Sequence, residues 1–280
     1  MFLVTAASGN VGSQIVEQLL AQGERVRVAL RDPGKAAWWD GRVEVVVADY
    51  SQPEGFRNAF SGVEAAFLMN TGPAGEPFEQ LLASAKAAGV PRIVFLSTIL
   101  AGDPGSEIGR LHKAKEDAIR ASGLQGRYLR PGSFMTNTLQ WSGSIKSEGV
   151  VYNPTANGKV AAIAAEDIAA VAVRALQSSD LEGDTFILTG DELLSVPEQV
   201  AIVSEVLGRP LRCVDIPVEA AIQGMIGAGV PPQIATAVGR SFEGIRDGRI
   251  LSPTDTVERI TGRRPATFRE WAERNVSRFA

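Results

Sequence analysis

The sequence predicts an α/β fold of the Rossmann type, a doubly wound parallel sheet with a smaller C-terminal α/β lobe for a substrate. Three observations predict it. Short apolar runs alternate with helical periodicity five times within about a hundred residues, the pattern of βαβ units and a right-handed parallel sheet. The first dozen residues, M-F-L-V-T-A-A-S-G-N-V-G, read as a buried strand, a tight small-residue turn and a helix start. The chain has 280 residues, 45% of them apolar, enough to bury a large core and a smaller lobe.

Taken in order, Phe2–Thr5 is the first strand, and Val11, Ile15, Val16, Leu19 and Leu20 recur at helical spacing up to Gly23. A helix N-terminus offers N–H groups and a positive dipole end, which suit a pyrophosphate. Gly9 and Gly12 stand where a dinucleotide turn needs small residues, but Ala6 replaces the first glycine and fits only if its φ stays negative. Arg25–Leu30 is the second strand. Where NAD-binding folds carry an acid on the ribose 2′-hydroxyl, Arg31 stands instead, with Lys35 four residues on. A guanidinium fork matches a phosphate, so NADPH (NADP) is the expected cofactor and NADH less so. Asp32 dilutes that field.

Val43–Ala48 is the third strand. Asp49 after it is either an acceptor for the adenine amino group or a turn cap. Phe56–Phe60 is a short helix, and Ala65–Met69 is the fourth strand, followed by the turn Asn70-Thr71-Gly72-Pro73 on the ligand side of the sheet. Pro77–Ala88 is a helix and Ile93–Leu96 the fifth strand, ending at Ser97. Glu107–Ala121 is a helix and Tyr128–Arg130 the sixth strand. Short strands at Val160–Ile163 and Thr185–Leu188 flank a helix at Asp167–Leu176. Beyond Thr189 come an amphipathic helix at Glu198–Leu207, a run at Leu211–Ile216, an Ala/Gly-rich segment to Gly239 and a final helix at Phe268–Asn275. The expected division is 1–190 for the nucleotide-binding domain, with 131–160 partly in the substrate cleft, and 191–280 for the smaller lobe.

Charge and cysteine content narrow the partners. A net charge of −4 offers no basic excess for nucleic acid or an anionic membrane. The single cysteine, Cys213, permits no internal disulfide. The N-terminus enters a strand without a basic leader, and no apolar stretch is long enough to span a bilayer. A cytoplasmic protein is expected, with a small apolar substrate as partner and a homodimer left open. Trp38 and Trp39 read as packing or a subunit contact, and Cys213 as an inert strand residue. One histidine and one cysteine leave no set of metal ligands and no Ser–His or Cys–His triad.

With these segments in hand, the chain resembles the NmrA-like group of atypical short-chain dehydrogenases, and within it the NADPH-dependent quinone-reductase-like members. The resemblance runs through V-T-A-A-S-G-N-V-G (4–12), V-R-V-A-L-R-D-P-G-K-A (26–36), V-V-A-D-Y (46–50) and R-I-V-F-L-S (92–97). It continues in K-E-D-A-I-R-A-S-G-L (115–124), L-R-P-G-S-F-M-T-N (129–137), A-A-E-D-I-A-A-V-A (164–172) and I-T-G-R-R-P-A-T-F-R-E-W (260–271). It implies two lobes, the smaller one closing over a substrate cleft. It implies Ser8, Gly9, Asn10 and Val11 on the pyrophosphate, Arg31 and Lys35 on the 2′-phosphate, and Asp49 and Tyr50 by the adenine. Asn70, Thr71 and Ser97 would flank the ribose and nicotinamide, with Pro131 to Phe134 beneath the ring and Gly224–Gly239 as a mobile lid.

Ordinary short-chain dehydrogenases place Y-x-x-x-K on the helix after the fifth strand. The three tyrosines, Tyr50, Tyr128 and Tyr152, are followed four residues on by Glu54, Gly132 and Ala156, so the pair is absent. Anchored on S-G-L at 122–124, the tyrosine position falls on Ile108 and the lysine position on His112, the only histidine. His112 is thus the candidate catalytic residue, as proton donor or as a contact to cofactor or substrate. Lys113 points about 100° away and cannot share its direction. The leading reading is a reductase passing hydride to a small apolar carbonyl, enone or quinone. A non-catalytic NADP(H)-binding redox sensor is the alternative, and an isomerase with a held cofactor is a third.

Overall fold

The computed structural model describes residues 1–50, 55–69, 74–249 and 252–280. In chain order its elements begin with β1 (Phe2–Thr5), α1 (Asn10–Ala21), β2 (Val26–Leu30), β3 (Glu44–Val47), α2 (Phe56–Ala59), β4 (Ala65–Leu68), α3 (Glu76–Ala87) and β5 (Arg92–Leu96). They continue with α4 (Glu107–Ser122), β6 (Gln125–Pro131), α5 (Ser142–Glu148), β7 (Val150–Asn153), β8 (Lys159–Val160), α6 (Ala165–Gln177), β9 (Thr185–Leu188), β10 (Leu194–Ser195) and α7 (Val196–Leu207). The last are β11 (Arg212–Asp215), α8 (Val218–Gly227), α9 (Pro232–Arg246), α10 (Thr256–Thr261), α11 (Phe268–Arg274) and α12 (Val276–Phe279). Short 3-10 helices cover Pro33–Trp39, Ile99–Gly102 and Met135–Trp141.

The chain forms two compact units, each drawn from three stretches: Met1–Gly132, Ala165–Leu188 and Thr256–Arg263 in the first, and Ser133–Ala164, Thr189–Asp255 and Arg264–Ala280 in the second. The first holds a seven-stranded sheet in the order β3-β2-β1-β4-β5-β6-β9. Every pairing in it is parallel. Strand order reverses between β1 and β4, the switch point at which open α/β sheets bind ligands outside their carboxyl ends. Alternate strand residues feed opposite faces. Leu3, Ala29, Ala66, Ile93, Phe95 and Tyr128 join Phe56, Phe60, Phe78, Leu81, Leu82 and Ile119 of α2, α3 and α4 in one core. On α6, Ile168, Val171, Ala172, Ala175 and Leu176 are buried, and α6 packs on α1 and on β4 to β6. α10 packs on α6, and just beyond it Arg263 places Nη1 2.7 Å from Asp167 Oδ1 as an ion pair.

The second unit packs Met135, Trp141, Ile145 and Val151 against Phe268, Trp271 and Phe279. β7 pairs in parallel with β11, and β8 antiparallel with β10. Capping boxes start α7 (Ser195 with Glu198) and α11 (Thr267 with Glu270). α8 and α9 lie against each other, and a Cβ on Gly239 would stand 2.4 Å from Ile222 Cδ1. The stretch expected as a lid is therefore the end of α8, a turn and the start of α9.

Two expectations are corrected here. The strand expected at Val160–Ile163 stops at Val160, because the chain leaves the ladder and Ile163 makes only an isolated bridge to Phe134. The helix expected at Phe268–Asn275 is α11, but it is not the last, since the short helix α12 follows at Val276–Phe279.

Candidate cofactor site and its surroundings

The site starts at the β1–α1 turn. Ala6 has φ +48, so the condition that its φ stay negative is not met, and alanine takes the left-handed conformation a glycine would have taken here. The reason lies in the turn. Gly9 N donates to Ala6 O at 2.9 Å, and Gly12 passes so near that a Cβ would stand 2.3 Å from that same oxygen. The carbonyl must turn toward the helix start, which only the left-handed region allows. A left-handed alanine costs about 1–2 kcal/mol. Ala6→Gly should therefore raise stability by about 0.5–1 kcal/mol after the added unfolded-state entropy is subtracted. A thermal melt should show an increase of about 1–3 °C, and an unchanged or lower Tm would contradict the strain.

α1 begins with Gly9 at its N-cap, with no side-chain cap and no acid in its first turn. Gly9 and Asn10 are exposed, Ser8 is half-buried and Val11 is buried as the first core contact of the helix. An uncapped helix start behind a turn that excludes β-carbons fits a dinucleotide pyrophosphate.

Arg31 follows β2 directly and Lys35 lies in the 3-10 helix Pro33–Trp39; both are exposed. Neither side chain takes part in an ion pair among the described residues. Asp32, which could have quenched them, is the cap of that 3-10 helix, with Oδ1 accepting from Gly34 N at 2.9 Å. In the same helix Trp39 is 1% exposed and Trp38 66% exposed.

Asp49 is half-buried just past β3. The Tyr50 hydroxyl donates to Thr5 Oγ1 at 2.7 Å. Thr5 Oγ1 in turn donates to Phe67 O and accepts from Met69 N, each at 3.0 Å. Burial raises the Tyr50 pKa, so this phenol stays protonated and ties the carboxyl ends of β1, β3 and β4 together. Asn70 and Thr71 lie outside the described residues. Pro131 is buried at the end of β6, opposite Leu188 of β9. Phe134 belongs to the second unit, where it bridges to Ile163.

Ser97 is buried at the end of β5, and its hydroxyl donates to Glu116 Oε1 at 2.6 Å. Arg130 of β6 grips the same carboxylate with two bonds of 2.8 and 2.6 Å. The proton of Ser97 is therefore committed inward.

His112 faces the sheet from α4, its ring centroid 6.0 Å from that of Phe95. Its Nδ1 is buried without a hydrogen-bond partner. Lys113, its rival, points outward to Asp117 at 2.5 Å. Burial first, then the charge of Lys115, lowers the His112 pKa to about 4, against an opposing pull from Glu116. The imidazole is thus neutral at pH 7. Unfolded, it titrates near 6.5 and binds more protons between the two values. Its contribution to stability is present above about pH 6.5 and is lost as pH falls toward about 4. For a half-buried group this amounts to about 1–2 kcal/mol. His112→Gln should remove that slope from a denaturation series over pH 4–7, and an identical slope in both proteins would contradict it.

Sequence reasoning missed Lys115. It is 1% exposed, one helical turn beyond His112, and burial lowers its pKa to about 8. The signal was present, since positions 109, 112, 115, 116 and 119 share one helical face.

The NAD(P)H-binding family profile matches residues 6–179. The (4-alkanoyl-5-oxo-2,5-dihydrofuran-3-yl)methyl phosphate reductase of Streptomyces griseus is 38% identical across 100% of this chain and 99% of its own. The NAD(P)H azoreductase of Xenophilus azovorans is 33% identical over the same shares. In fold, an NADPH-dependent quinone oxidoreductase of Escherichia coli, solved with NADPH, superposes with a TM-score of 0.84 at 24% identity, over 98% of this chain and 99% of that one. Among the described residues no helix is long and apolar enough to cross a membrane. With a parallel sheet, an uncapped glycine turn at its switch point and full-length relatives that are reductases, the chain belongs to the NAD(P)H-binding family, as an oxidoreductase.

Proposed function

We propose that this protein uses NADPH to reduce a small apolar carbonyl, enone or quinone. The observation that carries the cofactor choice is the pair Arg31 and Lys35 at the end of β2, exposed and without an ion pair among the described residues, with Asp32 turned into a cap. Gly9, Asn10 and Val11 would hold the pyrophosphate at the start of α1, with Ala6 and Ser8 shaping the turn. Asp49 and Tyr50 would border the adenine, Tyr50 through its ring because its hydroxyl is engaged by Thr5. Asn70, Thr71, Ser97, Pro131 and Phe134 are proposed around the ribose and nicotinamide. Bound NADPH supplies the hydride. The chain orients the acceptor and excludes water.

His112 serves as a neutral imidazole that hydrogen-bonds the oxygen on which charge develops, since burial keeps it from resting as an imidazolium. We place the protein in a reducing compartment, the cytoplasm, on its single cysteine.

NADPH oxidation at 340 nm against quinones, enones and aldehydes, with NADH in parallel, tests this. Saturable turnover with NADPH well above NADH is the expected result. Tight NADPH binding without turnover on any acceptor would favour the redox-sensor alternative.

A further inference from the structure

α4 is pinned on both sides of His112. At Gly109 its backbone approaches the 3-10 helix so closely that a Cβ would stand 2.0 Å from Leu100 O. Seven residues on, the wholly buried Glu116 side chain accepts Arg130 Nε at 2.8 Å, Arg130 Nη2 at 2.6 Å and Ser97 Oγ at 2.6 Å. Arg120 Nη1 adds a longer contact of 3.5 Å. Gly109 sets how near the helix lies, because nothing larger than hydrogen fits. The fork between Glu116 and Arg130 sets its rotation, because two parallel bonds to a planar group have one orientation.

His112 stands between these anchors, one turn before Glu116 on the same face. Its Nδ1 has no hydrogen-bond partner among the described residues, so none of them aims the ring through that atom. We infer that Glu116 is a positioning residue: with Ser97 and Arg130 it fixes the roll of α4 and thereby the direction of the His112 imidazole. The catalytic consequence rests on the reading of His112 given above, whereas the placement itself does not.

The chain's single histidine makes the test direct. In full-length protein labelled at histidine and phenylalanine, the NOE between the rings of His112 and Phe95 reports their geometry without reference to activity. In Glu116→Gln, which keeps the shape but loses the charged fork, this NOE should fall at least threefold. kcat should drop about tenfold or more, while the Kd for NADPH stays within about threefold. Removal of a charge alone would shift the imidazole resonances but leave the NOE intact. An unchanged NOE accompanied by a lower Tm would overturn the inference and leave Glu116 a purely structural residue. Should Glu116→Gln not fold, Ser97→Ala, which deletes one bond to the same carboxylate, should weaken the NOE in the same sense, and an unchanged NOE there would overturn the inference equally. A lost NOE in a protein whose wild type shows no reductase turnover would uphold the placement and reject the reductase reading. Turnover with an intact NOE in the variant would do the reverse.

Discussion

Exchanging Arg31 and Lys35 together for alanine should lower the preference for NADPH over NADH by about 30- to 1000-fold, measured as the ratio of kcat/KM for the two cofactors. A hydrogen bond to a charged group contributes about 1.5–3 kcal/mol, and solvent screening at an exposed site reduces the sum for two cations to about 2–4 kcal/mol. The loss should fall on NADPH alone, because NADH carries no 2′-phosphate. It should shrink at high salt, since screening has then already weakened the wild-type contact. Stability should stay within about 0.5 kcal/mol, because both side chains are exposed and hold no ion pair among the described residues. An unchanged cofactor ratio would remove both cations from the phosphate.

Arg130→Met should cost about 3–5 kcal/mol in chemical denaturation, the range for breaking a buried ion pair by deleting one partner. Glu116 would keep Ser97 and the distant Arg120 but lose both close bonds from Arg130. Its carboxylate would stay buried without adequate compensation. Replacing Glu116 by Met as well should restore more than half of the loss, since well-packed apolar groups stand in for a buried pair without its desolvation cost. A small effect in the single variant, or no recovery in the double, would show that Arg120 and Ser97 suffice.

Much of the first unit was legible in the sequence. Most strands of its sheet are short apolar runs, β6 with its arginines being the exception. The strands expected from Phe2 to Leu96 match within a residue or two, because β1, β2, β4 and β5 are buried on both faces and the edge strand β3 carries a β-branched valine run. The second unit was harder. Val150–Asn153 passed unnoticed as a strand, for its pairing partner Arg212–Asp215 lies about sixty residues on. The 3-10 helices Pro33–Trp39 and Met135–Trp141 carry no helical stripe by which a sequence could announce them.

Among the site residues the division is similar. Gly9 and Gly12 announced the turn, and Arg31 with Lys35 announced the two exposed cations past β2. The absence of a Y-x-x-x-K pair was visible in the sequence as well. Ser97 read as a ribose contact, and only the tertiary structure discloses that its proton goes to Glu116, nineteen residues on. His112 read as a group that titrates near neutrality, and only burial beside Lys115 keeps it neutral there.

The sequence by itself determined the Rossmann architecture, the nucleotide-binding turn and the cationic end of β2. These follow from local periodicity, glycine spacing and the charge of single residues. The tertiary structure decided the left-handed Ala6, the direction of the Ser97 proton, the burial of Lys115 and the protonation state of His112. Those depend on which distant groups displace water from an atom, and desolvation has no signature in the order of residues along a chain.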